Sequence, residues 1–366
     1  MKFQIDKETL LNPLQQIIGA VEKRQTMPAL SNVLIRTTEN SLTLTATDLE
    51  IELVSQIGII IDEPGEITVP ARKLLDICKS LPNEAIVKFT VKDTKALVQS
   101  GRSRFSLTTL PANDFPALEA INSIYEFEIT QKMLKDIIDK TAFAMAQQDV
   151  RYYLNGLMLE ISSNYLRAVA TDGHRLAYSE KETNADIADI KQVILPRKGV
   201  LELIRLLKDT DEKVKIILGS NHLQVEFDQL RLTSKLIDGR FPDYNRVMPT
   251  DGDNIMTADR EQLRQALMRA SILSNEKYRG IRLILEKNLI KLQAQNPDHE
   301  EADIELEVVY SGDDIEIGFN VNYMLDVLNV TNSEMVQTAL RDSNSSFLLT
   351  YPDQSDSKYV IMPMRL

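Results

Sequence analysis

The segment VATDGHRLAY groups three residue types that could do chemistry within four positions. Asp172, His174 and Arg175 could transfer a proton, ligate a metal or hold a phosphate. The chain has only 3 histidines, and the other two, His222 and His299, lie in polar stretches without ligand spacing to His174. An enzyme that uses these residues is therefore one hypothesis, which the rest of the sequence has to support.

The rest of the sequence offers little support for catalysis. The single cysteine, Cys78, excludes an internal disulfide framework and a thiolate metal cluster. Its neighbours in LLDICKSL are apolar at helical spacing, which predicts a buried thiol. His174 has no second histidine, cysteine or Gly-rich phosphate loop to work with. The sequence therefore predicts no metal and no cofactor.

The composition is typical of a soluble globular protein. The 366 residues are 43% hydrophobic and 26% charged, enough for two or three domains that each have a core. The longest apolar run, IGIII, is far shorter than the roughly 18 residues of a membrane span. The start, MKFQIDKETLL, is too charged for the apolar part of a signal peptide, so we expect a cytoplasmic protein with no membrane partner.

Internal repeats predict the elements that position these residues. Three segments pass from an alternating strand into an amphipathic helix, and they open at Phe3, Phe127 and Ile255, at spacings of about 124 and 128 residues. A second strand-then-helix family opens at Ile67, Val193 and Ile317. Single residues recur with the same period, namely Asp48 with Asp172, Pro70 with Pro196, and Pro116 with Pro242.

Each repeat is predicted to be an α+β unit with two helices and a majority of strands. The strands alternate apolar and polar residues, as in LTLTAT, which is typical of a sheet with one solvated face. The predicted domains are residues 1–124, 125–250 and 251–366. The predicted helices cover 7–24, 71–80, 130–149, 196–208, 259–279 and 320–332. Pro13 falls inside the first helix, behind a cap at Asp6, so that helix should begin later or kink there.

The distribution of charge separates the helices from the rest of the chain. The net charge of −12 argues against nucleic acid unless positive charge is concentrated somewhere. The six predicted helices carry about +7 together, which leaves about −19 elsewhere. If these helices share a surface, it attracts polyanions. The alternative is that Lys and Arg are simply good residues for solvated helix faces.

Long motifs accompany the repeats and resemble one family. They are DLE, GRSRFSLTTLPANDFPAL, QQDVRYYLNG, ATDGHRLA, PRKGV, SKLIDGRFPDY, ILSNEKYRG, YSGDDIEIGFNVNYMLDVLN and VIMPMRL. From the first residue to the last, the chain resembles the bacterial sliding clamps, the beta subunits of the replicative DNA polymerase III. The resemblance implies three DNA-clamp domains per chain and two chains closed head to tail into a six-domain ring. Helices would line a hole for duplex DNA, sheets would lie outside, and no enzymatic activity is implied.

The resemblance implies an inner surface that contacts phosphates without reading sequence. The implied DNA-facing residues are Arg24, Arg72, Gln148, Tyr152, Tyr153, Arg197 and Lys198. The two tyrosines could instead pack. We expect contact with nucleic acid, because an adjacent pair at the start of a strand cannot bury both rings on one face.

Family analogy places ring closure between repeat one of one chain and repeat three of the other. Phe105 would pack near Ile272 and Leu273 in an apolar contact. Arg102 and Arg104 would face an acidic run, which suggests charge complementarity. The acidic residues are Glu300, Glu301, Asp303 and Glu305. The same run could be an ordinary solvated edge.

VATDGHRLAY is the repeat-two copy of LTATDLEIEL, which keeps Thr47 and Asp48 but lacks the histidine. The shared Thr-Asp pair predicts a turn or a strand-end hydrogen bond, and Gly173, His174 and Arg175 are additions of repeat two. By resemblance, these additions line a pocket that captures short linear motifs. The implied partners, besides double-stranded DNA and a second copy, are the DNA polymerase III alpha subunit, the clamp loader, other DNA polymerases and repair proteins.

The implied pocket lies at the junction of repeats two and three and at the chain's end. The tail YVIMPMRL alternates like a strand, and its methionines suit a surface for several related extended peptides. One side comprises Leu154, Thr171, Gly173, His174, Arg175, Leu176, Pro242, Arg246 and Val247. The other comprises Asn320, Tyr323, Ser346, Val360, Met362, Pro363, Met364 and Arg365. We expect this tail to lie far from the ring-closing surface.

Two functions from other classes remain as alternatives to a clamp. An enzyme at His174 predicts turnover of a phosphoester or sugar substrate. A protein-only scaffold of three repeats predicts no preference for circular over linear duplex DNA. A ring that encircles DNA predicts retention on a circle and loss from a cut end.

Overall fold

The computed structural model describes residues 1–22, 27–116, 118, 121–184, 189–249 and 254–365. Its α-helices are α1 Lys7–Ile17, α2 Ala71–Ser80, α3 Gln131–Asp139, α4 Arg197–Leu206, α5 Arg260–Ser271 and α6 Val321–Asn329. Its strands begin with β1 Lys2–Asp6, β2 Asn32–Thr38, β3 Ser41–Thr47, β4 Ile51–Gly58, β5 Ile61–Glu63, β6 Gly65–Pro70, β7 Ile86–Lys92, β8 Lys95–Ser100, β9 Ser103–Thr108 and β10 Tyr125–Thr130.

The later strands follow the same pattern along the chain. They are β11 Gly156–Ile161, β12 Tyr165–Thr171, β13 Arg175–Glu182, β14 Lys191–Pro196, β15 Lys213–Leu218, β16 His222–Glu226, β17 Leu230–Lys235, β18 Asn254–Asp259, β19 Gly280–Glu286, β20 Leu289–Gln295, β21 Glu301–Glu307, β22 Ile315–Asn320, β23 Met335–Leu340, β24 Phe347–Tyr351 and β25 Gln354–Ile361. All six predicted strand-then-helix segments are present, and the α+β prediction is confirmed.

The chain forms two compact units. The first, Met1–Lys132 with Leu201–Leu236, contains an antiparallel five-stranded sheet in the order β5-β1-β7-β8-β9. It also contains an eight-stranded sheet in the order β10-β15-β16-β17-β4-β3-β2-β6. Since β17 pairs with β4, a strand of repeat two continues the sheet of repeat one. Leu10, Leu14 and Ile17 form the buried face of α1.

The second unit, Met133–Val200 with Ile237–Leu366, is built in the same way. Its eight-stranded sheet has the order β14-β11-β12-β13-β25-β24-β23-β18, and its four-stranded sheet has the order β21-β20-β19-β22. Here β13 pairs with β25, which places Leu176 opposite Val360. The compact units therefore follow the continuous sheets, which cross from one sequence repeat into the next.

Several helices are shorter than the sequence predicted. The third, predicted over 130–149, ends at Asp139, where the Thr141 hydroxyl donates to the Ile137 carbonyl (2.7 Å) and a 3₁₀ turn, Ala142–Ala144, follows. A side chain that takes a backbone acceptor in this way competes with the helical bonds. With the observed bounds, the helices carry about +5 instead of the expected +7, so the sign of the prediction holds.

Pro13 neither delays nor divides the first helix, which runs from Lys7 to Ile17. A proline there removes the bond to the carbonyl of Thr9, but Thr9 is exposed and water can take that acceptor. The predicted cap is wrong, since the Asp6 side chain makes no capping hydrogen bond. Asp259 does cap α5, by accepting from the Gln262 N–H (2.8 Å).

Cys78 lies where the sequence predicts it. The cysteine lies on the buried face of α2 with none of its surface exposed, which confirms the buried thiol. Every helix in the described ranges is too short or too polar to cross a bilayer.

Candidate functional site

Thr171 and Asp172 close a tight turn between β12 and β13. The Thr171 hydroxyl donates to the Arg175 carbonyl (2.6 Å) and accepts from the Gly173 N–H (3.0 Å). The Asp172 carboxylate accepts from the backbone N–H groups of His174 (2.9 Å) and Arg175 (3.0 Å). These four bonds satisfy the turn from within, which confirms the structural role predicted for the Thr-Asp pair.

Repeat one contains the same turn. The Thr47 hydroxyl donates to the Ile51 carbonyl (2.7 Å) and accepts from the Leu49 N–H (3.1 Å). The Asp48 carboxylate accepts from the N–H groups of Glu50 (2.9 Å) and Ile51 (2.8 Å). The turn thus belongs to the fold, and what differs between the repeats is the set of side chains that it presents.

The third turn position takes a left-handed backbone in both repeats. Leu49 has a φ of +77°, and Gly173 has a φ of +89°. Glycine relieves this strain, and it also leaves room for Arg151, since a Cβ at Gly173 would lie 2.9 Å from the Arg151 Nη2. Arg151 donates to the Asp172 carbonyl (3.3 Å) and to Asp149, and this hydrogen bond lowers the pKa of Asp149 to about 2.

Arg151 is a residue of this site for which the sequence predicts no role. The available signal was Gly173, where repeat one has a leucine, together with an arginine in QQDVRYY. A glycine that makes room for a guanidinium cannot be recognised before the neighbour is known.

Arg175 is held inside the site. Its guanidinium donates to Asp172 (3.0 Å), to Asp326 and to the Phe143 carbonyl (2.8 Å), and it lies 4.5 Å from the centre of the Tyr323 ring. The side chain is only 12% exposed. Burial raises the pKa of Tyr323, which keeps the phenol neutral. Arg175 therefore fixes the turn against α6 and Tyr323, and little of it remains available to a ligand.

A buried apolar cluster lies beside the turn. Three predicted pocket residues, Leu154, Leu176 and Val360, belong to it and are at most 4% exposed. Its other members are Ala146, Met158, Val169, Ile194, Phe241 and Tyr244. The cluster joins the β-strands of repeats two and three beneath the predicted pocket.

The carboxyl-terminal tail runs over the turn. The Met362 N–H donates to the His174 carbonyl (2.9 Å), and the Met364 N–H donates to the Gly318 carbonyl (2.8 Å). Met362 is 37% exposed beside the exposed His174. Ser346 precedes β24, whose Phe347 is opposite Ile361, so Ser346 lies beside the start of the tail.

The remaining predicted pocket residues flank these. Asn320 caps α6 by accepting from the Asn322 N–H (2.9 Å). Arg246, with an 84% exposed side chain, and Val247, 39% exposed, follow the buried Tyr244, and Pro242 follows the buried Phe241. Pro363 lies within the tail, between the two residues that bond the backbone.

The tail is closer to the acidic strand than expected. Met364 and Arg365 line a cavity of about 660 Å³ that Glu301 and Asp303 also line. The expectation that the tail lies far from those acidic residues is therefore wrong. The reason is the narrow sheet: the tail bonds Gly318 in β22, and β19 and β20 alone separate β22 from β21 at about 4.8 Å per strand.

The loop QQDVRYY contains most of the repeat-two residues predicted to contact DNA. Asn155 closes it, by accepting from the Asp149 N–H (2.9 Å) and donating to the Asp149 carbonyl (2.8 Å). Gln148 is exposed and adopts a positive φ of 57°.

The tyrosine pair lies in a 3₁₀ turn, Tyr152–Leu154, and the prediction that it starts a strand is wrong. Glycine at 156 begins the strand instead. Tyr152 is 57% exposed, whereas Tyr153 packs against the apolar cluster. The centres of the Tyr152 and Tyr153 rings are 5.9 Å apart. The two rings thus have different environments, and Tyr153 supports the pocket side.

The structure brings Arg197 to this loop. Its N–H donates to the Asn155 carbonyl (3.0 Å), and its Nη1 donates to the Met145 carbonyl (3.3 Å). Lys198 is half-buried in the first turn of α4. Arg72 is exposed on α2 in the first unit. Arg24 lies outside the described residues.

The predicted ring-closing residues lie on strands at sheet edges. β9, with exposed Arg104 and half-buried Phe105, ends the order of the five-stranded sheet, and exposed Arg102 precedes it. β21 ends the order of the four-stranded sheet. Its exposed positions are acidic and include Glu301, Asp303 and Glu305, with exposed Glu300 just before it.

An exposed apolar residue accompanies the acidic edge. Ile272 is 75% exposed directly after α5, and Leu273 is half-buried. Since α5 packs on β21, these residues and the acidic strand belong to one part of repeat three.

Metal chemistry finds no support at this site. Across the residues that the structure describes, no group of three or more His, Cys, Asp and Glu side chains could hold a metal ion. The Asp172 carboxylate accepts from three groups at once, namely the backbone N–H groups of His174 and Arg175 and the Arg175 guanidinium.

Comparison with known proteins agrees with this architecture. Models of the DNA polymerase III beta subunit match in three parts: the N-terminal domain over residues 1–119, the central domain over 128–243 and the C-terminal domain over 245–365. The beta sliding clamps of Pseudomonas aeruginosa and Escherichia coli K12 are 55% and 48% identical to the chain, and each alignment covers 100% of both proteins.

Solved structures of beta subunits also match the chain over its full length. The crystal structure of the beta subunit from P. aeruginosa matches with a TM-score of 0.97 at 55% identity, and that from Caulobacter crescentus with 0.95 at 38%. Both comparisons cover 100% of each chain.

The fold and the comparisons define a DNA clamp of three domains. The chain belongs to the family of bacterial beta sliding clamps, the beta subunits of DNA polymerase III. It is a DNA polymerase processivity factor and not an enzyme, so the hypothesis of catalysis at His174 is wrong. Asp172, His174 and Arg175, whose residue types suggest catalysis, instead form a turn.

Proposed function

We propose that two copies of this chain close around duplex DNA and that partner proteins bind at the turn between β12 and β13. The observation that supports the pocket most directly is the hydrogen bond from Met362 to the His174 carbonyl. It brings the tail of repeat three over the additions of repeat two. We also propose a cytoplasmic location, because the family acts in bacterial DNA replication.

The occupant of the pocket is an extended peptide with one or two apolar anchors. The rim has partly exposed apolar side chains, Val247 at 39% and Met362 at 37%, above the buried cluster that contains Leu176 and Val360. Such a surface gives binding energy to apolar side chains of several sequences. The partners are the DNA polymerase III alpha subunit, the clamp loader, other DNA polymerases and repair proteins. A P. aeruginosa clamp solved with griselimycin bound supports a ligand-binding surface in this family.

Ring closure uses the two edge strands. Edge strands offer backbone groups to a further strand, and β9 and β21 carry opposite charges beside the apolar Phe105 and Ile272. Apolar contact would supply the stabilisation, and the charges would select the head-to-tail pairing. A contact between unlike surfaces closes a ring only when its rotation completes the circle, here with two chains.

The DNA-facing surface consists of phosphate contacts. The proposed members within the described residues are Arg72, Gln148, Tyr152, Tyr153, Arg197 and Lys198, and Arg24 lies outside them. Contacts to phosphate fix position without reading bases, which sliding requires. The positive net charge of the helices in an acidic chain supports this assignment.

Replacement of Met362 by Ala tests the pocket. Its side chain would bury against an apolar anchor of the peptide, so we expect about tenfold weaker binding of a fluorescein-labelled peptide from the alpha subunit's clamp-binding segment. Met268→Ala, at a 47% exposed methionine on α5, is the matched control and should bind normally. Fluorescence anisotropy measures both. Equal affinities would remove Met362 from the pocket.

A further inference from the structure

Behind the proposed pocket lies a cluster of charged and aromatic side chains on the sheet of repeat two. Arg167, on β12, donates hydrogen bonds to Glu160 and Glu180. Its guanidinium carbon lies 4.3 Å from the centre of the Tyr165 ring and 5.2 Å from that of Tyr178. Burial alone would lower the pKa of Arg167, but the hydrogen bond to Glu180 and the surrounding charges raise it, so the group stays cationic.

Tyr244 connects this cluster to the pocket. Its hydroxyl accepts from the Arg167 Nη1 (2.6 Å) and lies 3.5 Å from the Glu160 carboxylate, and only 5% of the residue is exposed. Burial raises the pKa of Tyr244, so the hydroxyl keeps its proton. The ring belongs to the apolar cluster that contains Leu176 and Val360.

Two buried rings hold the loop that forms one wall of the pocket. Among residues 238–247, all of which the structure describes, Phe241 and Tyr244 alone are buried. Pro242 follows the first ring, and Arg246 and Val247 follow the second within one 3₁₀ turn. A loop with few anchors depends on each of them for its position.

Repeat one lacks this arrangement. The motif LPANDFPAL corresponds to LIDGRFPDY, which places Phe115 at the position of Phe241 and Leu118 at that of Tyr244. The register of LTLTATD with LRAVATD places Thr43 at the position of Arg167. The Arg–Tyr pair is therefore an addition of repeat two, like Gly173, His174 and Arg175. Both additions meet at the same pocket.

We propose that Tyr244, held by Arg167, is a positioning residue for peptide binding that sets Arg246 and Val247 over the apolar floor. The inference rests on the proposed function of the pocket. A charge-assisted hydrogen bond from a guanidinium to a phenol is directional, so it fixes the height and the rotation of the turn. Without this hydrogen bond, the Tyr244 ring would keep its apolar contacts, but Arg246 and Val247 would no longer be held at a fixed distance from Met362.

Tyr244→Phe tests the proposal, because it removes one hydroxyl and leaves the ring. We expect about five- to tenfold weaker binding of the labelled alpha-subunit peptide, with the melting temperature of the dimer nearly unchanged. Tyr165→Phe is the matched control: it removes a hydroxyl of the same cluster that donates to Glu160 (2.9 Å) and lies on β12 and not in the loop. It should bind normally. Equal losses in both variants would overturn the proposal.

A double-variant comparison separates positioning from general stability. In a background of Arg246→Ala and Val247→Ala, Tyr244→Phe should cause no further loss if it acts through those residues. A further loss of the same size would overturn the proposal. Should Tyr244→Phe not fold, Arg167→Lys replaces it, since lysine cannot hold both carboxylates and the phenol.

These variants distinguish a failure of the proposed pocket from a failure of the positioning role of Tyr244. If Met362→Ala and the Arg246/Val247 background also leave binding unchanged, the proposed pocket is wrong and the positioning role falls with it. If those variants weaken binding while Tyr244→Phe does not, the pocket stands and the positioning role alone is overturned.

Discussion

At the scale of single residues, the same side-chain types can form an active site or stabilise a turn. Asp172, His174 and Arg175 have the composition of an active site, yet the Asp172 carboxylate and the His174 backbone N–H hold a turn, and the Arg175 guanidinium binds Asp326 of α6. The repeat in Thr47 and Asp48 already indicated a structural turn. Arg151 and Tyr244 could not be found in this way, because their partners are 21 and 77 residues away.

Gly173→Ala tests the left-handed turn position. A side chain at a φ of +89° costs about 1 kcal/mol, and its Cβ would displace the Arg151 guanidinium. We expect a lower unfolding free energy in urea denaturation and weaker peptide binding. Leu49→Gly, in the matching turn of repeat one, should not reduce peptide binding. Unchanged stability and binding in Gly173→Ala would contradict this account of the turn.

The reactivity of the Cys78 thiol tests whether the core of repeat one stays closed to solvent. Burial raises the pKa of its thiol to about 11, above the usual range, and none of its surface is exposed. Thiolate formation and access are both suppressed at pH 8, so DTNB should react only after unfolding. The unfolded chain in guanidinium is the control and should react at once. Rapid reaction of the native protein at pH 8 would show that α2 opens readily.

At the scale of elements, strands and helices were predictable where a local pattern specifies them. Leu42, Leu44 and Ala46 of LTLTAT form a buried face as predicted, and the spacing of Leu134, Ile137 and Ile138 marks another. The opposite face of LTLTAT is not solvated as predicted, since Thr45 and Thr47 are also buried. Helix ends were not predictable, because tertiary contacts decide them. Thr141 ends α3 through a side-chain bond, and Pro13 is accommodated because Thr9 faces water.

Replacement of Ile272 and Leu273 by Ala tests the edge-strand contact. Ile272 is 75% exposed beside β21, and a dimer that buries both side chains would lose most of its apolar contact. We expect a monomer by multi-angle light scattering. Ile60→Ala, at an 83% exposed isoleucine, is the control and should remain dimeric. A dimeric double variant would place ring closure elsewhere.

At the scale of the whole molecule, the distribution of charge matters more than its sum. The chain carries −12 overall, whereas its helices are net positive, about +5. Composition alone therefore pointed away from DNA, and only the separation of helices from strands reversed that inference. The distribution of charge could not predict that two chains pair. That prediction depended on the family resemblance and on the two edge strands.

Neutralisation of the basic candidates tests the DNA-facing surface. Arg72→Gln, Arg197→Gln and Lys198→Gln should weaken binding equally across sequences and flatten its salt dependence by roughly one unit per contact. Peptide binding should survive. Lys213→Gln, on β15, is the control and should leave the salt slope unchanged. A loss that depended on DNA sequence would indicate base readout, which a sliding ring does not use.

Cutting a loaded DNA circle tests directly whether the protein holds DNA by encircling it. The labelled protein is loaded by its clamp loader onto nicked circular duplex, and the DNA is then cut once with a restriction enzyme. Gel filtration measures the protein that stays with the DNA before and after the cut. If the ring encircles the duplex, the protein stays on the circle and is released after linearisation. Equal retention on both forms, or no retention on the circle, would contradict it.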